Sequence, residues 1–176
     1  MHAVTRILAA LLLAFAASSA AAFGRLSAVA GHGSGVNVMG LEVGSADLKR
    51  WPLGESWQLS TYAMASLAYW HASARENKEL YDIRVAPVVR LQKQGNSGLT
   101  PYLEASFGVH LLSHNRINGR DMSSAFQFGE FAGGGLLFGP RREFGIGVRL
   151  QHVSNGGIRK PNQGLTFGSF VLHYQF

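Results

Sequence analysis

The sequence predicts an all-β chain, an eight-stranded antiparallel transmembrane β-barrel, and three observations carry that prediction. Apolar and polar residues alternate through most of the chain, the period of strands with one greasy face. The alternation runs to the final residue, Phe176. An apolar stretch opens the chain, and no later segment reads as a membrane helix.

The beginning sets the compartment. Arg6 precedes an apolar run from Ile7 to Ala17, followed by Ser18-Ser19-Ala20-Ala21-Ala22 and then Phe23. A basic start, an apolar stretch and an Ala-rich end predict a secretory signal peptide, residues 1–22, cut near Ala22. The run falls short of the roughly 20 residues that span a bilayer as a helix. Residues 23–176 then form one outer-membrane barrel domain. The chain has no cysteine, which excludes disulfides and thiol nucleophiles. With 22 glycines and only 15 % charged residues, it suits short strands and tight turns. The net charge of +6 fits nucleic acid or anionic lipid as a partner, and export selects lipid and excludes nucleic acid.

Strands are expected at 24–32, 35–45, 57–71, 80–92, 100–112, 124–138, 143–154 and 166–176. The first two meet at a glycine-rich turn, Gly31-His32-Gly33-Ser34-Gly35. In the third, Leu59, Ala63, Ala65, Leu67 and Tyr69 share a parity; in the fourth, Ile83, Val85, Val89 and Leu91 do. Pro87 lacks a ladder donor, so a bulge or irregular pairing is expected there. Leu103, Ala105, Phe107, Val109 and Leu111 mark the fifth strand, while Gly133-Gly134-Gly135 blurs the sixth. Phe144, Ile146, Val148 and Leu150 mark the seventh. Phe170, Leu172, Tyr174 and Phe176 mark the eighth, whose final phenylalanine resembles the C-terminal signature of bacterial outer-membrane barrels.

The opposite parity carries Asp82, Arg84, Arg90, Glu104, His110, Arg149 and Gln151. A soluble sandwich would show these to water; a membrane barrel turns them into its lumen and the apolar set to lipid. An even strand number puts both termini in the periplasm, with Gly139-Pro140-Arg141-Arg142 as a short periplasmic turn. Segments 72–79, 113–123 and 155–165 become extracellular loops. Eight strands leave a lumen that side chains fill, which disfavours a porin.

The chemistry concentrates between Gln151 and Gly164. His152 and Ser154 are two residues apart, so they share the parity of the lipid-facing set at the outward end of the seventh strand. Polar groups there are costly and need a reason. Histidine can take the proton of a serine hydroxyl and make it a nucleophile for acyl transfer. Asn155, Gly157 and Asn162 supply side-chain and backbone donors for an oxyanion. A plain polar rim and Gly/Asn/Pro loop is the competing reading. His71-Ala72-Ser73 has the same His-x-Ser spacing but none of the following elements, so it reads as rim. Gly31-His32-Gly33-Ser34-Gly35 does not fit a nucleophile elbow. No metal-ligand cluster is apparent.

His152-Val153-Ser154-Asn155, Gly157, Pro161-Asn162 and Gly164 resemble the signature of the PagL-type lipid A 3-O-deacylases, outer-membrane β-barrels. The resemblance extends to Ala86-Pro87-Val88, to Pro101-Tyr102-Leu103-Glu104-Ala105 and to the terminal alternation. It implies Ser154 as nucleophile, His152 as general base, Asn162 and the Gly157 amide as oxyanion donors, Asn155 as support, and no cofactor or metal. The family places a glutamate where this chain has Thr166. The alternatives are a dyad, an acid from a neighbouring strand such as Glu130, or reduced activity.

The implied function is hydrolysis of the ester-linked 3-O acyl chain of lipid A, in the outer leaflet of a Gram-negative-type outer membrane. Lipid A or lipopolysaccharide is the expected partner, with Arg116, Arg120, Arg159 and Lys160 in outer loops within reach of its phosphates. The alternatives are a non-enzymatic small barrel, structural or adhesive, and another outer-membrane acyl-modifying enzyme.

Overall fold

The computed structural model describes residues 23–73, 77–94 and 98–176. The expected signal peptide, residues 1–22, lies outside them. Long strands run antiparallel in chain order: β1 (Phe23–Gly33), β2 (Val36–Ser45), β3 (Lys49–Leu53), β4 (Trp57–Ala72), β5 (Glu79–Lys93) and β6 (Thr100–Leu112). A small hairpin follows, β7 (Arg116–Ile117) with β8 (Arg120–Asp121), and then β9 (Phe126–Phe138), β10 (Phe144–Ser154) and β11 (Leu165–Gln175). Each long strand pairs with the next, β1 pairs with β11, and β2 with β4 closes the ring. Among the described residues the barrel therefore has eight staves, because β3 continues the line of β2 after a break at Ala46-Asp47-Leu48 and pairs with the lower half of β4. Among the described residues closure pairs every stave on both sides, apart from the short β3, which pairs only with β4; lipid cannot answer an open edge.

The alternation read from the sequence is the alternation of faces. Leu67, Val85, Val89, Leu103, Phe107, Ile146, Val148 and Leu172 project outward, with Leu150 64 % and Phe170 74 % exposed. So large an apolar surface is stable only against hydrocarbon. Aromatic rings girdle both ends of this band. Phe138, Phe144, Tyr174 and Phe176 follow one another at 5.1–5.9 Å near the termini. Phe107, Phe126 and Phe128 cluster at 5.2–5.8 Å near the other end. That other end carries the longer loops and is the extracellular one.

Inside, side chains fill the lumen through its outward and middle parts. At its outward end Val36, Trp70, Leu80, Ile117, Met122, Val153, Leu165 and Phe167 form an apolar plug. Below it, carboxylates and guanidiniums cross-link staves that are not neighbours. Glu42 of β2 pairs with Arg84 of β5 and, at 2.7 Å, with Arg149 of β10. Arg149 Nε donates to Glu104 at 2.7 Å, and Arg90 Nη2 to the other oxygen of Glu104 at 2.8 Å. All five are buried, as expected for Arg84, Arg90, Glu104 and Arg149. The blurred parity of Gly133-Gly134-Gly135 also has a cause, the close approach of neighbouring strands: a Cβ on Gly133 would collide with Val148 O and one on Gly135 with Ile146 O, the Tyr102 hydroxyl also standing 2.8 Å from the second. That hydroxyl bonds His173 Nε2 at 2.7 Å.

Three local expectations are refined. Pro87 sits in unbroken register against Ala63 on one side. On the other the ladder lapses across Ala86-Pro87 and resumes in the same register at Val88, so the pairing is irregular without a bulge. The stave after residue 45 is longer than expected by Lys49–Leu53. The 113–123 loop contains the β7–β8 hairpin.

Glu104 ties Arg90 and Arg149 together, so Glu104→Ala leaves two buried guanidiniums short of a counter-charge. Breaking a buried pair from one side costs about 3–5 kcal/mol. Urea titration of the folded barrel in detergent, read by its gel mobility, should show a loss of that order.

Candidate active site

The site grows from the outward ends of β10 and β11. Val153 and Leu165 pair across these strands and point inward, fully buried in the apolar plug. Their packing fixes the backbone, and the pleat then turns His152, Ser154 and Thr166 outward. His152 is directly opposite Thr166, and its Nδ1 lies 2.8 Å from Thr166 Oγ1. With Nδ1–H donating to that hydroxyl, Nε2 keeps a free lone pair. Thr166 is itself seated: its N–H donates to Ser34 Oγ at 3.1 Å, and the Ser34 hydroxyl donates back to Thr166 O at 3.1 Å. The glycine-rich turn is thus a turn, as expected, with the further task of holding Thr166.

Asn155 organises the loop beyond Ser154. It is buried, with Nδ2 donating to Met122 O at 2.8 Å and to Arg159 O at 2.9 Å. Its backbone N–H donates to Asn162 Oδ1 at 3.0 Å. That bond engages the oxygen and leaves Nδ2 as the donor of the Asn162 side chain. The expected Gly157 amide is already engaged, donating to Asn155 Oδ1 at 2.8 Å. Its neighbour Gly156 turns its N–H toward Ser154 Oγ, at 3.4 Å. Gly156 and Gly157 both have left-handed φ, +65° and +81°, which glycine adopts without the steric penalty of a Cβ. The backbone donor facing the hydroxyl is therefore Gly156, which sequence reasoning passed over although the Gly-Gly pair signalled such a turn. Gly164 closes the site from the far side of the loop: a Cβ there would stand 2.9 Å from both His152 Cε1 and Ser154 Cβ.

The β7–β8 hairpin braces this loop. Asp121 N–H donates to Gln163 Oε1 at 2.7 Å, Ser123 Oγ to Pro161 O at 2.6 Å, and Arg120 Nη1 to Gly164 O at 3.3 Å. The Ser123 N–H and the Arg116 guanidinium hold the Asp121 carboxyl below its ordinary range. Of the four cations expected in the outer loops, Arg116 is paired with Asp121 and Arg120 is turned to Gly164. Arg159 and Lys160 stand exposed on the site loop. No local sequence feature announces these contacts, which join segments some 40 residues apart.

His71 and Ser73, the spacing decoy, lie at the end of β4, where His71 stacks on Tyr69 at 6.2 Å between centroids. Glu130 of β9 is directly opposite His152 on its other flank. Among the described residues no cluster of three or more acidic or histidine side chains is arranged to hold a metal.

Comparison with known proteins gives a consistent picture. The family model described as Lipid A 3-O-deacylase (PagL) matches residues 35–175. A lipid A deacylase PagL from Pseudomonas aeruginosa is 31 % identical over 131 residues, 71 % of this chain and 72 % of that protein. One from Bordetella bronchiseptica is 32 % identical over 125 residues, 70 % of this chain and 67 % of that protein. The crystal structure of the outer membrane enzyme PagL superposes with a TM-score of 0.73 at 28 % identity, covering 86 % of this chain and 99 % of that one.

Asn155→Ala removes three hydrogen bonds that tie the loop to Met122, Arg159 and Gly157. Leaving such buried groups unanswered costs about 1–3 kcal/mol each. The substituted barrel should stay folded while its 155–164 loop becomes faster in amide exchange and more readily nicked by protease.

Proposed function

This chain belongs to the lipid A 3-O-deacylase (PagL) family, and we propose that it hydrolyses the 3-O-linked acyl ester of lipid A in the outer leaflet, with Ser154 as nucleophile and His152 as general base. Residues 1–22 serve in this reading as a cleaved export signal, delivering residues 23–176 to the outer membrane. The observation that carries the proposal is the His152–Thr166 bond on the outward face, two residues from Ser154. A polar cluster of this kind on the lipid-facing side of a barrel costs stability, and acyl transfer explains it.

The proposed steps are these. Ser154 Oγ attacks the ester carbonyl carbon as its proton passes to His152 Nε2, while Thr166 Oγ1 keeps the imidazole oriented through Nδ1. The negative charge that develops on the carbonyl oxygen falls to Asn162 Nδ2 and the Gly156 N–H, both held by the Asn155-centred loop. Collapse breaks the ester C–O bond, and the 3-hydroxyl of the sugar leaves with the proton from His152. Water, deprotonated by the same imidazole, then attacks the acyl-serine, releasing the fatty acid and restoring Ser154. Leu150 and Val148, exposed on the same face of β10 below His152, offer apolar surface for the acyl chain. Arg159 and Lys160 are free to meet the phosphates of the substrate.

Ser154→Ala and His152→Ala should each abolish release of fatty acid from lipid A by the folded barrel, whereas Ser73→Ala should leave it unchanged. Asn162→Ala should lower turnover by roughly 10²–10³-fold, the effect of losing one oxyanion donor. Mass spectrometry of lipid A from cells carrying each variant identifies the product. Retained 3-O-deacylation with Ser154→Ala would overturn the assignment.

Gly164→Ala offers an independent check, because its Cβ would press on both His152 and Ser154. It should impair turnover strongly. Gly168→Ala, whose Cβ meets nothing nearer than 4.0 Å, should be tolerated.

A further inference from the structure

The serine mechanism leaves one requirement unmet by its immediate partners. Taking the serine proton turns His152 into an imidazolium, and Thr166, which bonds Nδ1, carries no charge to stabilise it. The strand register brings a carboxylate to the other flank. β9 pairs with β10 so that Glu130 is directly opposite His152, and β10 pairs with β11 so that Thr166 is opposite it on the other side. The three residues form one row across the outward face.

Glu130 has no evident structural reason to be there. It is exposed on the outward side, between Phe128 and Ala132 along its own strand. Its other cross-strand neighbour, on β6, is Phe107. Among the described residues it enters no ion pair and no side-chain hydrogen bond. A carboxylate facing lipid without a cation is costly and points to function. The one polar side chain opposite it is His152. Adjacent strands lie about 4.8 Å apart, close enough for a charge on one to act strongly on the other in a water-poor setting.

We propose that Glu130 is a positioning residue that supplies, from the β9 side, the negative charge stabilising the His152 imidazolium during acyl transfer, while Thr166 supplies orientation alone. The proposal rests on the serine mechanism above. Orientation and charge, which a single carboxylate could provide together, are divided here between the two flanks of the histidine.

The test uses the folded full-length barrel in detergent with lipid A as substrate, following fatty acid release. Glu130→Gln should lower kcat by about tenfold or more, the rate equivalent of one pKa unit, with KM little changed. Glu130→Asp should keep most of the activity. Thr166→Glu introduced into Glu130→Gln should restore kcat, because it returns a carboxylate to the opposite flank of the same imidazole. A merely structural role would not be rescued from another strand. Wild-type kcat in Glu130→Gln, or a loss that neither Glu130→Asp nor the double substitution relieves, overturns the proposal. Ser154→Ala run alongside separates the two levels. Activity there removes the serine mechanism and this proposal with it, whereas an inactive Ser154→Ala beside a fully active Glu130→Gln removes only the role of Glu130.

Discussion

Arg149 ties the middle of the barrel together. Its guanidinium binds Glu42 through Nη1 and Glu104 through Nε, both at 2.7 Å, joining β10 to β2 and β6 across the lumen. Those carboxylates hold Arg84 and Arg90 in turn. The network is satisfied only if Arg149 faces inward. Strand periodicity is two, so a one-residue slip of β10 would send every side chain to the opposite face and leave a guanidinium in lipid. The inward Arg149 therefore requires Leu150, His152 and Ser154 to face outward. The placement of the proposed catalytic pair on the membrane side is a consequence of charge pairing in the middle of the barrel.

The apolar plug completes that logic at the outward end. A charged lumen reaching to the extracellular rim would admit water and loosen the strand ends. Instead Trp70, Ile117, Met122, Val153 and Leu165 pack together without exposure. Val153 and Leu165 are the inward neighbours of the site residues, so the site stands on strands locked from behind. Met122 belongs to the plug and also gives its carbonyl to Asn155 Nδ2. One residue thus couples lumen packing to the loop that carries Asn162 and Gly156. In the proposed mechanism such rigid backing would hold the donors before the substrate arrives, which is what electrostatic stabilisation of an oxyanion needs.

The barrel was legible in the sequence because both of its constraints are periodic. A lipid-facing side and a filled lumen impose alternation on every stave, and Phe144 to Leu150 and Phe170 to Phe176 display it without interruption. Where another physical demand intervened, legibility fell. Lys49-Arg50-Trp51-Pro52-Leu53 lies toward the periplasmic end with mostly exposed residues on both parities, so no alternation marked it as strand. The Gly133-Gly134-Gly135 run lost its parity because β10 and β6 approach it closely on both sides, leaving no room for a Cβ. In the site, His152, Ser154 and Thr166 could be placed on one face by counting twos. The choice between Gly156 and Gly157 could not, since it depends on which amide the Asn155 side chain captures. The support from Ser34, Asp121 and Ser123 was equally hidden, because it comes from loops that meet only once the barrel has closed.

Thr166 shows how a departure at one position can be read through its surroundings. A hydroxyl there still meets Nδ1 at 2.8 Å, and its backbone is pinned by Ser34 on both its N–H and its carbonyl. The threonine hydroxyl therefore orients the imidazole without a carboxylate. A carboxylate in this place would have had to be desolvated at the membrane rim, a cost relieved only while His152 is protonated. A threonine carries no such cost, but it offers no charge to an imidazolium. In the proposed mechanism a carboxylate that stabilises this charge directly has to stand on the outward face within one strand of His152. The register restricts the acidic residues in that zone to β9, where Glu130 faces the histidine across the strand pair.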